Sequence, residues 1–206
     1  MAAERIPILT PEQYLEIERE AEFKSEYVAG QMYLMAGGTP EHSQIAFNIA
    51  GALRHKLRGG PCRGYTSDLR VRAGSLFTYP DVTVVCGEPR FHDDREDTII
   101  NPKLIIEVLS ESTEAYDRGE KFGRYQRIDS LSEYVLVSQR RPSIDRYLRK
   151  PDGSWNLFVA EGLDASVELE SISCSLDLAD VYDDVELETT DTETALPRRP
   201  QDLKEG

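Results

Sequence analysis

Tyr79-Pro80-Asp81-Val82-Thr83-Val84-Val85-Cys86, Lys103-Leu104-Ile105-Ile106-Glu107-Val108-Leu109-Ser110 and Asp117-Arg118-Gly119-Glu120-Lys121-Phe122-Gly123-Arg124-Tyr125-Gln126-Arg127-Ile128 are the stretches on which the reading of this chain turns. The first two are apolar, β-branched runs of the kind that form central strands. Each carries one acid in its middle. Side chains alternate along a strand, so Asp81 shares a face with Thr83 and Val85, and Glu107 with Ile105 and Leu109. A buried carboxylate without a partner is costly, and two such groups side by side repel as well. A divalent cation held between them resolves both problems, and carboxylate oxygens suit magnesium. Either acid alone is explained as well by a strand end and an arginine partner; the pair is not.

The third stretch reads as a helix over about 117–128, opened by an Asp117-x-x-Glu120 capping box. With Lys121 at the origin and about 100° per residue, Ile128 lies near −20°, Tyr125 near 40° and Phe122 near 100°. Lys121 therefore points into the apolar stripe that packs on the sheet. An inward lysine needs a partner, unless its stem is buried and its ammonium reaches water.

Working outward, Thr10, Pro11 and Gln13 form a cap, a first-turn proline and a capping box for an N-terminal helix. Ser25–Val28 and Gln31–Met35 flank Ala29-Gly30 and read as a hairpin. Thr39-Pro40 opens a longer helix, 40–57, with Ile45, Ile49, Ala52, Leu53 and Leu57 on its apolar stripe. Arg63–Ala73 alternates as one strand, Glu133–Ser138 reads as another, and Asp145–Arg149 and Ser154–Ala160 flank Pro151-Asp152-Gly153 as a hairpin. Together these predict a single domain over residues 1–184. Its fold class is α/β, a mixed β-sheet core flanked by helices with an added C-terminal β-hairpin. Residues 185–206 are acidic, then rich in proline and arginine, and read as a disordered tail.

The combined pattern of Pro80-Asp81, Glu107 within Ile-Ile-Glu-Val-Leu-Ser, and Asp117-Arg-Gly-Glu-Lys121-Phe-Gly-Arg-Tyr125 resembles the Uma-type family of putative restriction endonucleases, within the PD-(D/E)XK nuclease superfamily. Glu26-Tyr-Val-Ala-Gly30 and Glu41-His42-Ser43 extend the match, which runs from about Leu9 to Tyr147. The resemblance implies a restriction-endonuclease-like fold and hydrolysis of DNA phosphodiester bonds as a homodimer. Asp81, Glu107 and the Val108 carbonyl would hold Mg2+, for which Mn2+ substitutes. Lys121 would orient or deprotonate the attacking water, or stabilise the pentavalent phosphate. The superfamily pattern has a lysine two residues after the glutamate, where this chain has Leu109; Lys121 matches a position from which Uma-type members supply it. Glu26 matches an early glutamate that completes the metal shell through water, although a surface acid on a short strand reads equally well. His42, in the first turn of its helix, reads as a neutral core histidine or as an auxiliary phosphate ligand. The hairpin bearing Trp155 and Phe158 is a candidate dimer contact, or simply packs on the sheet edge.

Composition narrows the alternatives. The 206 residues carry a net charge of −14, of which the last stretch from Asp183, with eight acids and three bases, accounts for −5. So acidic a body favours a non-catalytic, protein-binding version of the fold, whereas the complete Asp, Glu and Lys set favours the nuclease. Any nucleic-acid groove must be a local basic patch. A glycosidase built on the same two acids lacks clustered aromatics for sugar stacking. Histidines at 42, 55 and 92 cannot assemble a zinc site. Cys62, Cys86 and Cys174 are odd in number and widely spaced, which predicts three reduced, mostly buried thiols. No apolar run approaches the roughly 18 residues of a membrane span, and Met1-Ala2-Ala3-Glu4-Arg5 does not open a secretory signal, so the expected location is the cytoplasm.

Overall fold

The chain's architecture was analysed in a computed structural model that describes residues 8–187. The Thr10 hydroxyl accepts from the Gln13 N–H and Gln13 reciprocates on the Thr10 N–H, starting α1, Pro11–Glu20. Ala29 and Gly30 both take positive φ, 49° and 103°, the conformation that a two-residue hairpin turn demands between β1 (Ser25–Val28) and β2 (Gln31–Leu34). Thr39 caps α2, Pro40–Lys56.

The predicted strand Arg63–Ala73 is two strands. The chain turns at Ser67 and Asp68, so that β3 (Cys62–Thr66) and β4 (Arg70–Ala73) belong to different sheets. After β5 (Leu76–Thr78), Tyr79, Pro80 and Asp81 carry the chain back to β6 (Val82–Cys86). Next come β7 (Thr98–Ile99) and β8 (Leu104–Leu109), then a continuous helical segment over 114–125, here α3, whose middle turn, Asp117–Lys121, is π-helical. The helix thus begins before Asp117, and the capping box read there does not form; Asp117 is inside the helix and buried. β9 (Glu133–Ser138), β10 (Ser143–Arg149), β11 (Trp155–Glu161), β12 (Ser166–Leu169), β13 (Cys174–Asp177) and α4 (Leu178–Val181) complete the described chain.

The main sheet has the order β11-β10-β9-β8-β6-β3, antiparallel except for the β8–β9 pair. α2 covers one face, where Ile45, Ile49 and Leu53 meet Val82, Val84, Leu104 and Ile106. α3 covers the other, where Phe122 and Tyr125 meet Ile105, Leu109 and Tyr134. Full burial of each such side chain contributes roughly 1.5–3 kcal/mol. A second sheet, β2-β1-β5-β4-β7, lies beside α3, tied there by the Arg124 Nη1 bond to Ser75 Oγ, 3.2 Å. This is the mixed α/β arrangement expected, with the C-terminal β10–β11 hairpin added at the sheet edge. Short β5, β7, β12 and β13 escaped the sequence reading because two to four residues do not establish a period. Val185 and Leu187 pack against the α2-side core; residues 188–206, most of the expected tail, lie outside the described residues.

One expectation fails. Cys62 and Cys86 stand opposite each other in the β3–β6 ladder and are disulfide-bonded, leaving Cys174 as the free thiol. Their 24-residue separation concealed a cross-strand pair that only the sheet register brings together. Thiol titration of the denatured, unreduced protein should count one thiol per chain; a count of three would mean that the bond does not form.

Candidate active site

Asp81 immediately precedes β6, and extending the β6–β8 register by one pair places it across from Glu107. One carboxylate oxygen, Oδ2, accepts the Val108 N–H at 2.8 Å and lies 3.4 Å from His42 Nε2. Its side chain is 16 % exposed, so solvent reaches Asp81 more readily than it reaches Glu107. Glu107, on the α3 face of β8, is 6 % exposed and accepts the Tyr125 hydroxyl on Oε1 at 2.7 Å.

Lys121 brings the surrounding elements together. Its ammonium is 3.0 Å from Glu107 Oε1 on the main sheet, 3.2 Å from Glu26 Oε1 on the second sheet and 3.3 Å from Asp117 Oδ1 one turn earlier in α3. Glu26 also receives the Thr78 hydroxyl from β5. The inward direction inferred for Lys121 is therefore observed; Glu107 meets the ammonium as expected, Glu26 meets it directly and not only as an outer group, and Asp81 makes no ion pair with it among the described residues. His42 meets Asp81 and not the ammonium.

The electrostatics follow from an excess of buried acids over buried bases. Burial, and then the charges of Asp117 and Asp81, push the Glu107 carboxyl up to about 8 despite Lys121. Burial also raises Asp117. For Lys121 burial works downward, but Glu107, Tyr125, Glu26 and Asp117 outweigh it and hold the ammonium well above the ordinary lysine value. The Asp81 carboxylate raises His42 against the opposing effect of burial. The buried Tyr116 hydroxyl has no hydrogen-bond partner among the described residues, which costs about 1–3 kcal/mol, whereas Asp117 Oδ1 is met by the Lys121 ammonium.

Among the described residues, no three or more His, Cys, Asp or Glu side chains are arranged to hold a metal ion. That excludes a zinc-type cage from the described residues. Magnesium binds through one or two carboxylates, keeps its waters and takes further oxygens from substrate phosphate. No hydrogen bond to Asp81 Oδ1 or Glu107 Oε2 is present among the described residues. The donors are hard oxygens and their surroundings carry surplus negative charge, so these residues fit a hard divalent cation.

The family model described as "Putative restriction endonuclease", Uma2, matches residues 11–179. The chain belongs to the Uma2 family. It is 41 % identical over 180 residues to the uncharacterized protein slr1290 of Synechocystis sp., covering 85 % of this chain and 92 % of that one. A second uncharacterized Synechocystis protein, sll1609, is 34 % identical over 163 residues, covering 78 % and 92 %. In fold, this Uma2 chain is similar to a crystal structure titled a putative nuclease belonging to DUF820, from Anabaena variabilis, with TM-score 0.70, 19 % identity and coverage of 84 % of this chain and 97 % of that one.

Sequence reasoning missed three members of this Uma2 constellation. The capping-box reading hides Asp117, which four residues before Lys121 falls about 40° from it on a helix and so shares the inward stripe. Tyr125 was read as apolar filler, yet its hydroxyl anchors Glu107. Thr78 lies in a strand that was not predicted.

Replacing Lys121 by Met removes the cation shared by three carboxylates. The expected cost, read as unfolding free energy at about pH 8, is roughly 3–5 kcal/mol. The loss should shrink in mild acid, because a carboxyl with a raised pKa, such as Glu107, is protonated there and no longer needs the ammonium. An unchanged unfolding midpoint at both pH values would refute this account of Lys121.

Proposed function

We propose that the chain is a magnesium-dependent endonuclease that hydrolyses DNA phosphodiester bonds, with Asp81, Glu107 and the Val108 carbonyl as the metal-holding groups. The observation that carries this reading is the convergence of the Lys121 ammonium with Glu107, beside an Asp81 anchored on the Val108 N–H. Family membership and the nuclease-like fold support it. Magnesium bound there supplies charge to offset the phosphate and lowers the pKa of a bound water; manganese serves the same purpose.

The protein's own groups divide the remaining work. The Val108 N–H fixes one Asp81 oxygen, and the other would be available as a ligand. Tyr125 orients Glu107. Lys121, held by Glu26, Glu107 and Asp117, positions the attacking water and stabilises negative charge on the phosphate in the transition state. Because its pKa is held high, electrostatic stabilisation is the better supported of its two assigned roles, general base being the other. Glu26 positions this ammonium directly, in addition to any contact with the ion through water.

Metal calorimetry and cleavage assays test this together. Metal binding requires the Glu107 anion, and its carboxyl is raised to about 8. Magnesium affinity should therefore increase from about pH 6 to about pH 9, with proton release on binding. Asp81→Ala should keep the fold but lose both magnesium binding and cleavage. Unchanged cleavage by this variant would refute the assignment. No binding at millimolar magnesium by wild type would favour the non-catalytic, protein-binding reading, which the net charge of −14 supports.

Folds of this type commonly cleave duplexes as dimers, and we propose β11 as the homodimer contact. It is an edge strand whose Leu157, Phe158 and Val159 are 54, 47 and 46 % exposed, an invitation to strand pairing. Trp155 instead packs against Phe122 with ring centroids 5.3 Å apart, so it serves the hairpin's own attachment. Sedimentation should give a dimer that Phe158→Glu dissociates; a monomeric wild type would exclude this contact. Among the described residues no helix is long and apolar enough to cross a membrane, and the cytoplasm is the proposed location. A disulfide is uncommon there, so the thiol count bears on location too.

A further inference from the structure

The seam between α3 and the second sheet does not end at Lys121. One turn on, Arg124 donates from Nη1 to Ser75 Oγ at the β4–β5 turn. Its Nε is buried without a partner. Beyond it the seam opens into a cavity of about 310 Å³ lined by Arg72, Arg90 and Arg127, with Gly74, Ser130 and one acid, Asp129. Arg90 and Arg127 are exposed, and among the described residues neither guanidinium is in an ion pair. Arg72 is held in place: Nε donates to the Gly74 carbonyl at 3.0 Å, Nη1 donates to His92 Nδ1 at 2.8 Å, and the guanidinium lies over the Phe77 ring.

In a chain of net charge −14, a hollow lined by three arginines and a single acid is a local reversal of sign. Mutual repulsion disfavours the cluster unless an anion occupies it, and a guanidinium fork matches phosphate oxygens. Arg127 is six residues beyond Lys121. It lies two residues past the end of α3, so a short stretch of chain joins the hollow to Lys121.

We infer that the Arg72–Arg90–Arg127 hollow is a phosphate-docking subsite. It holds the backbone of the nucleic-acid strand away from the scissile bond. This rests on the nuclease reading and deepens it: the basic patch that so acidic a protein requires for a polyanionic substrate lies in this seam, with Arg124 between it and the site.

Duplex binding measured in EDTA separates affinity from cleavage. The full-length double variant Arg90→Ala/Arg127→Ala should bind a short duplex about tenfold more weakly than wild type. The slope of log K against log salt should be shallower by about 1.8, the value for two lost phosphate contacts. Arg58→Ala/Arg63→Ala removes the same charge from exposed positions in and before the β3 edge strand and should change binding by less than about twofold. Equal losses in the two double variants would overturn the subsite. Cleavage by wild type in magnesium is scored separately. Cleavage with binding indifferent to Arg90 and Arg127 overturns only this inference; neither cleavage nor duplex binding overturns it together with the nuclease reading. Pyrophosphate binding lost in Arg90→Ala/Arg127→Ala, without duplex binding by wild type, would reassign the hollow to a small anion and overturn docking of a strand.

Discussion

A single ammonium, withdrawn from water and shared among carboxylates from two sheets and its own helix, is the contact around which this molecule is organised. Desolvating a lysine costs several kcal/mol, and in the interior only close, well-placed anions return that energy. Glu26, Glu107 and Asp117 provide them within 3.0 to 3.3 Å. The second sheet is thereby bound to the main sheet through α3, and the π-helical turn Asp117–Lys121 sets the two charged ends of that turn on one side. Such turns are rare and recur at functional sites.

The same contact leaves a surplus. Four acids, Asp81, Glu107, Glu26 and Asp117, surround one lysine and one histidine, and Glu107 is accordingly driven toward its neutral form. A divalent cation near Asp81 and Glu107 would restore balance, drawing Glu107 back to its anion. Stability of the empty site and affinity for metal are therefore opposed through one carboxyl: protonation relieves the crowding and at the same time removes a ligand. Catalytic centres commonly carry this kind of frustration, since the arrangement suits a bound ion and substrate better than the protein alone.

Charge is organised by place and not by total. A net charge of −14 predicts repulsion of a polyanion at long range. At short range, Arg127, Arg90 and Arg72 line one hollow beside the site, and contact with phosphate is a short-range matter because salt screens the rest within about 8–10 Å. Association should consequently be slow and salt-sensitive, with specificity resting on contacts made after encounter.

How much of this was legible beforehand depends on the range of the interaction. The Thr10 and Thr39 caps, the proline starts, the Ala29-Gly30 turn and the apolar faces of α2 and α3 are local, and sequence alone determined them. It also determined that Asp81, Glu107 and Lys121 were misplaced unless they served one another, because burial energetics make a lone charge in an apolar run conspicuous. Tertiary structure alone decided the rest. The split of Arg63–Ala73 between two sheets, the Cys62–Cys86 bond, the recruitment of Asp117, Tyr125 and Thr78, and the convergence of Arg72, Arg90 and Arg127 join residues far apart in the chain or hidden in elements too short to show a period. Periodicity reports which way a side chain faces; what it meets there is set by register and packing.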